Sequence, residues 1–314
     1  MIANAASPRF NELVSSICEQ SPLQRKKIQK YLAGKDDAFF ERAEAVSSRY
    51  LGFLEKEKIP LQSAVRAYLG LCNEMLCNQI KFMKTGRYPA ESAERAYETV
   101  YSDPATMKSY MIGLAISQVL WPSHERIYRF CEDNMRRAKD RTRSYLEIGP
   151  GHALFLNAAA ELLPASAHIS VVDISATAVE IARAMMRHFQ PDRANIEYHQ
   201  ADFLAADGSR RFDFITMGEV IEHVTFPDRL LRKLRDTLSE DGRAFVSTCV
   251  DCPAKDHVYH FKSVEEIRTM LRGCGLEIQS ECVAPVEDLP MEEIVMKKIT
   301  INYAAMVGAA AGPA

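Results

Sequence analysis

From Ser144 onward the chain alternates short apolar runs with amphipathic helical segments, and nothing else in it restricts the fold so tightly. The runs are SYLEIG (144–149), HISVVDI (168–174), ANIEYHQA (194–201), FDFITMGE (212–219) and GRAFVSTCV (242–250). Helical periodicity fills 153–163, 176–189 and 228–238 between them. Strands joined through single helices form a parallel sheet with helices on both faces. A helix over 263–272 follows, then two more runs, LEIQSECVA (276–284) and KITINYAAMV (298–307). Their connection, 285–297, has room for only one or two helical turns, which suits an antiparallel last strand. The expected fold is α/β, a doubly wound seven-stranded sheet.

Upstream, residues 8–141 read as helix throughout, broken by Pro60, Pro89, Pro104 and Pro122. Val65, Tyr68, Leu69, Cys72, Met75, Leu76, Ile80 and Met83 mark one apolar helical face. Met107, Tyr110, Met111 and Leu114 mark another, after a Ser102-Asp103-Pro104 start signal. The basic run 135–143 reads as a solvated helix end or linker. The chain therefore divides into a helical cap (1–141) and an α/β domain (142–314). The cap's apolar faces need a partner, either the second domain or another copy of the chain in a homodimer.

Composition narrows the partners. The 314 residues carry 39 Lys plus Arg against 42 Asp plus Glu, a net charge of −3, unlike the basic footprint of a nucleic-acid binder. No run approaches the roughly 18 apolar residues of a membrane span, and no secretory signal is visible. Only the last residues, 308–314, are poor enough in core-forming side chains to be disordered. Eight scattered cysteines suit a reducing cytoplasm rather than a disulfide framework. Cys249 and Cys252 form a CxxC, but zinc wants two further well-spaced ligands, so the expectation is buried free thiols and no metal.

The chemistry collects where the strands end. Gly149 and Gly151 close the first strand and open a helix, which lets the backbone approach a ligand beside free amide groups. Pro150 and the missing third glycine make this a poor nicotinamide or flavin fingerprint. Asp173 ends the second strand, where a carboxylate can accept from ribose hydroxyls. Its alternative role as a helix cap falls better to Ser175. Asp202 and Phe203 follow the third strand, and Gly218, Glu219 and His223 follow the fourth. In open parallel sheets ligands bind at these carboxyl ends.

This ordered set, EIGPGH (147–152), VVDIS (171–175), ADF (201–203) and GEVIEHV (218–224), resembles the class I S-adenosylmethionine-dependent methyltransferases over residues 140–307. The resemblance implies a Rossmann-like sheet of order 3-2-1-4-5-7-6 with strand seven antiparallel. It implies that Glu147, Gly149 and Gly151 hold the methionine portion of S-adenosylmethionine, Asp173 and Ile174 the ribose, and Asp202 with Phe203 the adenine. Gly218 and Glu219 complete the cofactor site. GEVIEHV, in place of an Asn/Asp-Pro-Pro-Tyr motif, is similar to the small-molecule branch, where helical N-terminal extensions cover the active site and often dimerise.

Methyl transfer from a sulfonium needs alignment and exclusion of water, and a hydroxyl or ammonium acceptor also needs a base. His257, in the loop after strand five, is the first candidate base, with His223 the second; each has a plain structural role as its alternative. Asp256 and Tyr259 from the same loop, with His124 and Trp121 from the helical region, are candidate acceptor contacts. Tyr110 and Trp121 fit either an ordinary core helix or a lid whose aromatic faces attract the sulfonium. The density of polar residues in the loop, Lys255 to His260, points to a small polar metabolite. Three other readings stay open. They are cyclisation of S-adenosylmethionine to azetidine-2-carboxylate, S-methylation of methionine or another thioether, and a binding module without turnover.

Overall fold

Pro8, Pro22, Pro104 and Pro122 each sit in the first turn of a helix, where the missing amide hydrogen has no partner to lose. Side chains of Ser21, Asp36 and Asp103 cap the helices that follow them. In the computed structural model, which describes residues 6–89, 92 and 100–310, these signals give α1 (Pro8–Gln20), α2 (Pro22–Leu32), α3 (Asp37–Lys56), α4 (Leu61–Thr85), α5 (Pro104–Leu120) and α6 (Pro122–Ala138). The helical reading of 90, 91 and 93–99 and the disorder expected at 311–314 lie outside those residues.

The second part runs β1 (Ser144–Ile148), α7 (Leu154–Leu162), β2 (His168–Asp173), α8 (Ala176–Phe189), β3 (Ile196–Gln200) and β4 (Phe212–Gly218). It continues with α9 (Pro227–Thr237), β5 (Leu238–Val250), α10 (Val264–Gly273), β6 (Leu276–Pro285), α11 (Met291–Met296) and β7 (Ile301–Ala309). The strands form one sheet of order β3-β2-β1-β4-β5-β7-β6, as expected. β7 is antiparallel to both β5 and β6, and the connection before it holds only the six residues of α11.

Two boundaries differ from the sequence reading. β5 begins at Leu238, ahead of the expected run 242–250, and its register with β4 shifts between Phe212 and Phe214. A Cβ at Gly242 would lie 2.7 Å from the Phe212 carbonyl oxygen, so glycine lets the strands approach there. Gly308, expected to be disordered, pairs with Arg243 of β5 and Glu277 of β6.

Alternation along β1 sends Tyr145 to one face of the sheet and Leu146 to the other. One core is continuous from Phe10, Phe39 and Phe40 through Ile116 to Tyr145, Phe214 and Phe245. The N-terminal helices thus bury their apolar faces against the sheet layers of the same chain. α6 lies directly on β6, β7 and α7. α3 and α5 reach α8, and an Arg49–Glu161 ion pair joins α3 to α7. α5 is thereby held across the carboxyl ends of the first strands.

Candidate active site

A cavity of about 770 Å³ opens between α5 and the carboxyl ends of β1, β2, β3, β4 and β5. Its floor is the glycine loop. Gly149 has φ +68° and its amide donates to the Val172 carbonyl at 2.9 Å. A Cβ there would strike Val220 Cγ2 at 2.6 Å. Gly151 has φ +49°, and its missing Cβ would meet Met111 Sδ of α5 at 3.2 Å. Both positions need glycine, but for the approach of Val220 and of the cap helix as well as for any ligand. His152 is buried, and its Nδ1 accepts from the Leu154 amide at 3.1 Å, capping α7. Burial, with His124 nearby, lowers its pKa to about 3.

Asp173, Ile174, Asp202, Phe203, Gly218 and Glu219 all line the cavity. Asp173 Oδ1 accepts from the Ser175 amide at 2.7 Å, while Ser175 Oγ caps α8. Burial raises the Asp173 carboxyl to about 6. Asp202 Oδ1 accepts from the Leu204 amide at 2.9 Å and holds the turn that buries Phe203. Glu219, at φ +52°, takes a hydrogen bond from Ser247 Oγ at 2.8 Å, and burial beside Glu222 pushes its carboxyl well up.

Glu147 is placed differently from what the resemblance implies. It does not line the cavity. Its carboxylate is buried on the α6 side of the sheet, where the Tyr145 hydroxyl donates to it, and burial raises its pKa to about 8. The strand alternation that buries Tyr145 buries Glu147 on the same face.

The opposite wall is polar. Asp256 is buried and accepts from Tyr101 at 2.8 Å (Oδ2) and from Tyr110 at 3.2 Å (Oδ1). His223 Nδ1 lies 2.9 Å from the Asp256 carbonyl oxygen. His257 Nδ1 lies 2.8 Å from the Cys252 carbonyl oxygen, and the two imidazole rings meet edge to face at 4.9 Å. Burial alone would depress His257, but the Cys252 thiolate and the Glu222 and Asp256 carboxylates outweigh it and raise it to about 10. His124 Nδ1 sits 2.8 Å from Ser117 Oγ, and Trp121 Nε1 donates to the Tyr68 hydroxyl at 3.1 Å; both residues border the cavity.

Of the loop residues after β5, only Asp256 and His257 of those expected at the site reach it. Tyr259 points away and donates to Glu266 at 3.2 Å. Lys255 pairs with Glu74, and His260 with Asp251 at 2.6 Å. The loop turns at 255–256 rather than running extended, and the outward residues found partners on α4, on α10 and at Asp251, just after β5. The structure adds Tyr101, Met111, Gln118, Glu222 and Cys252 to the site region. Glu222 lay within the quoted GEVIEHV motif. Tyr101 carried no signal, because its partners Asp256 and His223 are 155 and 122 residues away.

Comparison with known proteins agrees with this layout. Residues 123–281, just over half of the chain, match a family described as a methyltransferase domain. The ubiquinone biosynthesis O-methyltransferase of Glaesserella parasuis is 32% identical over 132 residues, which is 40% of this chain and 53% of that protein. The enzyme of the same name from Xanthomonas axonopodis pv. citri is 24% identical over 181 residues, 51% of this chain and 73% of that one. The chain thus spans about half the length of the first relative. The solved structure of mitomycin 7-O-methyltransferase superposes with a TM-score of 0.55 over 80% of this chain and 72% of its own, at 13% identity, a likeness of fold. The family match begins at α6 and runs through β6, so the chain belongs to the methyltransferase-domain family, whose methyl donor is S-adenosylmethionine.

Proposed function

We propose that this chain methylates a small-molecule acceptor, at a hydroxyl oxygen, between α5 and the His223–His257 wall. One observation carries the reading: a single cavity joins the glycine loop to that wall. Its size is that of small-molecule pockets. Gly149, Gly151, Asp173, Ile174, Asp202, Phe203, Gly218 and Glu219 would hold the cofactor. Asp173 is half-buried with one oxygen already committed to Ser175, which suits a ribose acceptor. When bound, the cofactor supplies an electrophilic methyl on a sulfonium. The chain's own work is to align the acceptor and exclude water. Tyr110, held by Asp256, sits with His223 and His257 where an acceptor hydroxyl would be positioned; His257, expected as the base, is held charged by its neighbours, so the acceptor's proton would pass to His223.

The acceptor's body would meet Met107, Met111, Leu114 and Trp121, with His124 at one end. That wall is largely apolar, and the outward turn of Lys255, Tyr259 and His260 removes three of the five polar residues of the cluster. We therefore read the acceptor as a molecule with an apolar body and a polar reacting end, rather than a polar one throughout. The names of the ubiquinone O-methyltransferase relatives support oxygen as the reacting atom.

In this reading α1–α5 act as the cap, and α6 belongs with the sheet layers it packs on. A homodimer would use the face of α4 where Leu76, Ile80 and Met83 are exposed; light scattering at one protomer mass counts against it. Product analysis tests the activity. S-adenosylhomocysteine forming only when a hydroxylated acceptor is present supports methyl transfer. Methylthioadenosine from S-adenosylmethionine alone overturns it in favour of ring closure, and no product across an acceptor screen favours a binding module.

A further inference from the structure

We propose that Glu222, His223 and His257 form a site for one divalent transition-metal ion in the wall of the cavity. The argument starts from the ring tautomers. His223 Nδ1 faces the Asp256 carbonyl oxygen at 2.9 Å and the Tyr101 hydroxyl at 3.3 Å, and that hydroxyl gives its own hydrogen to Asp256 Oδ2 at 2.8 Å. A carbonyl only accepts, so the His223 hydrogen is on Nδ1. His257 Nδ1 faces the Cys252 carbonyl at 2.8 Å and carries its hydrogen for the same reason. In a neutral ring Nε2 is then a bare lone pair; on His257, where the surrounding carboxyls and Cys252 favour the charged ring, Nε2 carries a proton that a metal ion would displace.

Both Nε2 atoms face Glu222. Its Oε1 lies 3.8 Å from His223 Nε2 and 4.0 Å from His257 Nε2, and ligand atoms of the three residues lie within 4.8 Å of one another. Glu222 is fully buried. Its Oε2 takes a hydrogen bond from Thr248 at 2.8 Å, while Oε1 has no partner. Three ligand atoms therefore share a gap that a proton on His257 Nε2 does not close: Oε1, 4.0 Å away, has no hydrogen-bond partner, in a place where an unserved polar atom is costly. A cation serves all three.

The donor set also selects the ion. Two imidazoles and one carboxylate suit iron, zinc and their neighbours, and leave coordination positions open. Backbone carbonyls on both Nδ1–H groups orient the rings in the way metal-ligating histidines are usually held. His223 and His257 border the cavity, so the open positions would take an oxygen or nitrogen of whatever occupies it. The competing set, Cys249, Cys252 and His257, also gathers within 4.8 Å. There the thiol of Cys249 approaches His257 at Nδ1, 3.6 Å away, the nitrogen already committed to Cys252. The sequence expectation of no metal weighed that CxxC alone; the set proposed here exists only because the turn after β4 meets the loop after β5.

The test needs neither S-adenosylmethionine nor an acceptor, so it stands or falls apart from the proposed activity. The full, untagged chain is stripped with a chelator and titrated with Co²⁺. We expect one cobalt per chain with ligand-field bands of a nitrogen–oxygen site. His223→Ala and Glu222→Gln should each weaken cobalt binding by about 10–100-fold or more, the scale of disturbed metal sites. Cys252→Ser should leave it unchanged. His223 is partly exposed, so its alanine variant should keep the wild-type circular dichroism and remain interpretable if Glu222→Gln does not fold. Three results overturn the proposal: no stoichiometric uptake by the wild type, a sulfur-to-cobalt charge-transfer band lost in Cys252→Ser, or wild-type affinity in His223→Ala.

Discussion

Asp173 and His152 sit on either side of the glycine loop and make opposite use of burial. With one oxygen on the Ser175 amide, Asp173 has acceptor capacity left for ligand hydroxyls. Asp173→Ala should weaken S-adenosylmethionine binding by about 1–3 kcal/mol, measured by calorimetry. Gly151→Val should weaken it as well, since φ is +49° and the new Cβ would meet Met111. Undiminished affinity in both would sink the cofactor assignment. His152 must stay neutral to accept from the Leu154 amide. The unfolded chain takes up a proton there below pH 6.5, whereas the folded state resists it down to about 3. Its contribution is therefore complete above pH 6.5 and is lost as the pH falls toward 3, about 3 kcal/mol by pH 4. His152→Asn keeps an acceptor without titrating, so its unfolding free energy should fall less steeply between pH 6.5 and 4. At His223, alanine should lower turnover at least about 100-fold with cofactor affinity intact. Unchanged turnover would move the acceptor chemistry away from this wall, as a thioether acceptor would allow.

Among the elements, α5 most directly couples packing to the site. One side touches α4 through Gly113, where a Cβ would meet the Ala67 carbonyl oxygen and Leu71 Cβ, both at 3.1 Å. The neighbouring positions Tyr110, Met111 and Leu114 line the cavity. Gly113→Val should force the helices apart and destabilise the protein by about 1–3 kcal/mol. It should also lower acceptor turnover more than cofactor affinity, because α5 forms the acceptor wall. A calorimetric melt with paired binding and rate measurements checks this; equal loss of both would place α5 over the cofactor instead. The sequence pattern identified α5 through its start signal and Met–Tyr face. It could not show which side faces the cavity, because the helix is apolar nearly all round and buries Met107, Tyr110, Ile116 and Val119 alike.

At the scale of the whole molecule the helices and the sheet share one core, from Phe10 to Phe245. A fragment of residues 140–314 would lose α6 and bare the face of β6 and β7 on which it lies. We expect that fragment to aggregate, whereas 122–314, keeping α6, should be more soluble. Size-exclusion chromatography with light scattering tests both. A monodisperse, fully active 140–314 fragment would show that the helices are dispensable.

The order and direction of the strands were legible in the sequence because each depends on short-range facts. These are a run of apolar residues, a helix-length crossover, and a connection too short to cross. That Gly149, Gly151, Asp173, Asp202 and Glu219 border one cavity was legible too, since the topology brings the carboxyl ends of the parallel strands to one edge. The tertiary structure alone decided which residues of a loop turn inward, as with Asp256 and His257 against Tyr259 and His260. It decided that Glu147 faces α6, and it brought Tyr101 to Asp256. It also turned two imidazole Nε2 atoms toward the one Glu222 oxygen that lacks a hydrogen-bond partner. Such contacts join residues distant in sequence, and their geometry follows from packing, which periodicity does not encode.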